Sequence, residues 1–66
     1  MDTSLITAIL VRIKSHHKAH HAWMVVEPNE GWHINIIIRT ELDDIDSTVA
    51  SGANFSELPA LLSSLK

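Results

Sequence analysis

The sequence contains no cysteine. Disulfide cross-links and thiolate zinc sites are therefore excluded, which matters for a chain of only 66 residues. A domain of that size buries only about 60% of the surface its unfolded chain exposes, and it usually leans on a disulfide, a metal or a partner. With the first excluded, histidine-bound metal and oligomerisation remain, and oligomerisation is the commoner solution. Long apolar runs are missing too. No stretch approaches the ~18–20 residues that span a bilayer, and the opening "MDTSLITAIL" carries an acid where a secretory signal carries a base. The expectation is a cytoplasmic protein that does not engage the membrane.

Positive charge is scarce: five Lys and Arg stand against eight Asp and Glu, for a net charge of −3. Such a chain is a poor general binder of phosphate backbones, so weak affinity for nucleic acid is expected. Catalytic signatures are missing as well. With only two glycines there is no glycine-rich phosphate loop, and there is no nucleophile elbow, no His-Glu-x-x-His and no plausible pair of catalytic carboxylates on one element. A two-layer domain this small also has little room for a pocket of ~300 Å³ or more. No catalytic residue and no cofactor are expected.

What is present suits a globular chain. A hydrophobic share of 45% with 20% charged residues argues against disorder, and residues 1–66 read as a single small domain. Asp2 or Thr3 can cap a first helix. Ile6, Ile9, Leu10 and Ile13 recur at helical spacing on one face, with Ser4, Thr7, Lys14, Ser15 and Lys18 opposite. Continued on the same wheel, His16, His17 and His20 fall on the apolar side and His21 at its edge.

A hairpin follows. "AWMVVE" and "WHINIIIRT" are rich in β-branched and aromatic residues, and "PNEG" between them is turn chemistry. A four-residue loop over Pro28 to Gly31 would set Glu27 against Trp32, Val25 against Ile34 and Trp23 against Ile36. The core face would then hold Trp23, Val25, Trp32, Ile34, Ile36 and Ile38. The reverse face would hold Met24, Val26, His33, Asn35, Ile37 and Arg39. "ELDDID" reads as a loop, not a calcium site, because the central glycine and closing glutamate are missing. "STVAS" reads as a short edge strand and Gly52 as a turn. A second helix is expected from an N-cap at Ser56, with Phe55 stapled to Ala60 and a stripe of Leu58, Leu61, Leu62 and Leu65. The predicted class is α+β: a two-layer α-β-β-β-α domain with an antiparallel three-stranded sheet and both helices on one face.

Four histidines in "SHHKAHH" raise the question of metal. On a helix, His16/His20 and His17/His21 are i,i+4 pairs that could chelate one ion. No acceptor stands nearby to orient a ligand imidazole. A helix C-terminus, where the dipole favours imidazolium, is the preferred reading, and a metal-binding or pH-responsive protein is the alternative.

The α-β-β-β-α order resembles that of double-stranded-RNA-binding domains, with Gly31-Trp32-His33 placed near that family's first-hairpin glycine and histidine. The family holds phosphates with lysines at the start of its last helix. Here that segment is "NFSELPALL", with Glu57 and no base, so the RNA-binding role does not carry over. The hairpin together with "SGANFSELPALL" is similar to the N-terminal part of HicB-type antitoxins, which lack an N-terminal helix of this kind.

Charge is uneven. Arg12, Lys14 and Lys18 against Asp2 leave residues 1–26 at +2, while Arg39 and Lys66 against the seven remaining acids leave residues 27–66 at −5. The leading expectation is a non-catalytic interaction or regulatory module, inhibitor- or antitoxin-like and possible as a homodimer. It would bind another protein through Met24, Val26, His33, Ile37 and Arg39 of the open sheet face, or through the acidic segment with Asp43, Asp44 and Asp46.

Overall fold

The computed structural model describes residues 3–65, and the expected cap at Asp2 lies outside them. The element order is α1 (Thr3–His16), β1 (His21–Glu27), β2 (Gly31–Arg39), β3 (Asp44–Gly52), a 3-10 turn (Phe55–Glu57) and α2 (Leu58–Ser64). The three strands form one antiparallel sheet in the order β1-β2-β3. This is the expected α+β architecture, an open sheet with two helices. Its shortest dimension is 17 Å, against 37 and 26 Å for the others, which fits one sheet and one helical layer.

The layer forms where the apolar periodicities meet. Ile9 and Ile13 of α1 and Leu58 of α2 are buried against Trp32, Ile34 and Ile36 of β2, with Ala19 closing one end. Leu5, Ile6, Leu10, Leu61, Leu62 and Leu65 pack around that cluster at partial exposure. Burying side chains of this size stabilises each by roughly 1.5–3 kcal/mol, which is why the helical stripes take these positions. The Arg12 guanidinium of α1 donates to the carbonyl of Leu65, the C-cap of α2, at 3.0 Å.

β1 is in a different register from the expected one. Glu27 pairs with Gly31, Val26 with Trp32, Met24 with Ile34 and Ala22 with Ile36. The cause is a turn one residue shorter. The Glu30 amide donates to the Glu27 carbonyl at 3.1 Å, and Asn29 sits at φ 66. Pro at the second position and a positive φ at the third are the marks of a type II turn. Gly31, at φ 92, then joins the strand instead of the loop. There its missing side chain matters, since a Cβ would run into the Gly52 carbonyl and lie 2.8 Å from the Ala53 Cα.

A one-residue slip turns every side chain of a strand to the other face. Trp23 and Val25, expected in the core, therefore face away from the helices, while Met24 and Val26 turn toward them. β2 faces as expected.

Three further boundaries differ. β3 spans nine residues, not five, and absorbs Asp44 and Asp46. Thr40 closes the loop before it, its Oγ1 and amide both donating to the Asp43 carbonyl at 2.6 and 2.9 Å. The last helical segment opens at Phe55, not after a Ser56 cap. The Asn54 backbone is extended, and its carbonyl takes the Trp32 indole N–H at 2.9 Å and the Glu57 amide at 3.3 Å. That anchor leaves Phe55 at the surface, 37% exposed, where core packing was expected. Finally, α1 ends at His16. Lys18 adopts φ 53, Ala19 N–H donates to Lys14 at 2.9 Å and Lys18 N–H to Ser15 at 3.3 Å, the two bonds of a Schellman C-cap.

Candidate functional site: the open face of the sheet

The strand pairings place the side chains of the uncovered face. β1 contributes His21, Trp23, Val25 and Glu27; β2 contributes His33, Asn35, Ile37 and Arg39. Asp44 stands opposite Arg39, Asp46 opposite Ile37, Thr48 opposite Asn35 and Ser51 opposite His33. Two contacts tie β2 to β3 across this face. The Thr48 hydroxyl donates to the Asn35 side-chain carbonyl at 2.7 Å, and Arg39 Nε reaches Asp44 Oδ1 at 3.4 Å. On the other flank His33 Nδ1 lies 3.8 Å from Glu27 Oε1, and the His21 ring lies 5.7 Å from the Trp23 ring at a tilt of 32°.

The face thus has an apolar centre of Trp23, Val25 and Ile37, each half-buried by its neighbours alone. Polar side chains of β3 border it on one side and an Arg39–Asp44 pair closes one end. Of the residues expected to bind a partner, His33, Ile37, Arg39, Asp44 and Asp46 come together here. Asp43 lies in the adjoining loop, its carboxylate accepting from the Asp44 amide at 2.8 Å. Met24 and Val26 do not belong to the face. Trp23 and Val25 take their place, and the one signal for them is Pro28-Asn29, which is compatible with the shorter turn as well as with the longer loop.

The histidines do not form the pairs that a longer helix would have given. His16 is the last residue of α1, His17 and Lys18 form the turn, and His21 opens β1. The His16 and His17 rings meet edge to face at 5.0 Å, and the His20 amide donates to the Ile37 carbonyl at 2.8 Å. Among the described residues no three His, Cys, Asp or Glu side chains gather as an ion site would require.

A concavity of about 350 Å³, larger than the sequence led one to expect, opens at the hairpin end of the sheet, with Glu27, Glu30, His33 and Ser51 on its wall. Gly31, Trp32, Gly52 and Ala53 complete its lining. A side-chain hydrogen bond with Glu27, reinforced by the Glu27 charge, holds the Glu30 carboxyl above the usual carboxylate range. No described helix is long and apolar enough to cross a membrane. The chain matches no protein-family model, no curated protein and no solved structure.

Proposed function

We propose that this chain is a small non-catalytic interaction module, of the regulatory, inhibitor- or antitoxin-like kind, that binds another protein through the open face of its sheet. The observation that carries this reading is the placement of Trp23 together with Val25 and Ile37 on a face that no helix covers. Tryptophan is among the residues most enriched at the energetic centres of protein interfaces, and an apolar cluster within a polar border is the usual anatomy of a binding patch. The partner's complementary surface is apolar at its centre and basic at its edge. Asp44 and Asp46 border the face, Glu41 and Asp43 adjoin it, and Arg39 alone opposes them.

Trp23→Ser and Ile37→Glu test the proposal. Each removes contact area without emptying the core, so each folds as stably as the wild type to within about 1 kcal/mol. A protein captured by the wild-type chain from its native host is then purified and titrated against all three forms. The reading requires both variants to lose most of the affinity. A partner that binds them as tightly as the wild type refutes it.

A further inference from the structure

The sheet has two edges, and they differ. β3 is guarded. Asp44 and Asp46 place charge along it, and Val49 is an extra residue between the Ile34–Ala50 and Asn35–Thr48 pairs, a bulge that bends the edge. Natural proteins use both devices to keep edges from pairing. β1 has neither: its seven residues pair in unbroken register with β2, and its only ionisable side chains are His21 and Glu27 at its two ends.

The sequence of β1, "HAWMVVE", is complementary to itself when antiparallel. Turned about Met24, His21 stands opposite the partner's Glu27, Trp23 opposite the partner's Val25, and Ala22 opposite the partner's Val26. The pairings join an imidazole with a carboxylate that can accept its N–H, an aromatic with a β-branched residue, and a small side chain with a larger one, combinations that suit antiparallel neighbours. Sliding the copy by two residues leaves two of the seven unpaired and sets either His21 against Val25 or Trp23 against Glu27. Sliding it by one puts the helices of the two copies on opposite sides of the sheet.

The helix side fits the same register. Val26 points toward the helical layer yet is 52% exposed, because no element of its own chain reaches over it. Beside β1 lies a groove of about 210 Å³, lined by Leu10, Val11, Lys14 and Ala22, in which Val11 is 61% exposed. Ala22 is the residue opposite the partner's Val26. The side chain lacking cover and the groove lacking an occupant therefore meet, twice by symmetry.

We infer that two copies of this chain pair antiparallel along β1, centred on Met24, to form one six-stranded sheet with all four helices on one side. This also supplies the support that a chain of 66 residues without cysteine needs. It stands independently of what binds the open face.

Sedimentation velocity on the full chain tests it across micromolar concentrations. The wild type sediments at twice 7.3 kDa. Val26→Asp, His21→Glu and Glu27→Lys each weaken association roughly tenfold or more, the scale of about 1.4 kcal/mol, while Ile45→Asp on β3 leaves it unchanged. Mixing His21→Glu with Glu27→Lys restores the dimer, because every substituted side chain then meets its opposite charge. Circular dichroism confirms that each variant is folded, and the mixing experiment decides the matter even if Val26→Asp is not. A wild type that stays monomeric at high micromolar concentration overturns the inference. So does a dimer that survives the β1 variants and dissolves with Ile45→Asp.

Discussion

Ile36 and Ile37 are neighbours in the chain and sit on opposite faces of β2. Ile36 is 1% exposed, between the helices and the sheet, whereas Ile37 stands on the open face opposite Asp46. Ile36→Ala should cost roughly 2–5 kcal/mol, a large part of the stability of so small a domain. Ile37→Ala should cost much less. Chemical denaturation of the two variants measures the difference, and equal losses would mean that the open face is covered in solution. A second residue-scale expectation concerns Glu30. Its folded pKa is raised above 4.5 by Glu27, so its contribution to stability is complete below the ordinary carboxylate range and is lost as pH rises through the raised value. Glu30→Gln should therefore raise the melting temperature at neutral pH and give no gain in acid. A gain equal at both pH values would remove Glu27 as the cause.

Among the elements, both helices and the hairpin are legible in the sequence because apolar periodicity over Ile6 to Ile13 and Leu58 to Leu65 leaves one face to bury. β1's register is not, because "PNEG" allows loops of three or four residues and the choice depends on Asn29 accepting a positive φ. The end of α1 is hidden for a similar reason. The wheel runs on through the histidines, and only the left-handed conformation at Lys18 stops it. Hence five of the expected partner-binding residues lie on the open face while Met24 and Val26 exchange sides with Trp23 and Val25. The surface position of Phe55 is not legible locally, because the Trp32–Asn54 hydrogen bond that anchors its segment joins residues 22 apart in the chain. A non-glycine residue in the left-handed region costs about 1–2 kcal/mol. Lys18→Gly should thus stabilise the fold by about 0.5–1 kcal/mol, after the greater freedom of an unfolded glycine is deducted. Thermal melts would register this, and a loss of stability would mean that the Lys18 side chain makes a contact worth more than the strain.

The whole molecule is a sheet backed on one side and bare on the other. Three strands spaced ~4.8 Å apart, with nine residues at ~3.3 Å each, offer a face of only ~400 Å². A stable protein interface takes about 800 Å² from each partner. Edge pairing along β1 doubles the face to about that size and brings two Trp23 side chains near its middle. The acidic segment from Glu41 to Asp46 then borders both ends. Self-association runs along the β1 edge and partner binding across the open face; Trp23 and Val25 serve both, and Ile37 serves the open face alone. The most direct test of the open face as the binding surface is site-specific photocrosslinking in an extract of the native host, with the photoreactive side chain at position 37 in one sample and at position 60 in another. Ile37 lies at the centre of the bare face, and Ala60 is exposed on α2 in the helical layer. The account predicts a discrete adduct with a foreign protein from position 37 and none from position 60. An adduct from position 60 alone, or none from position 37, would contradict it.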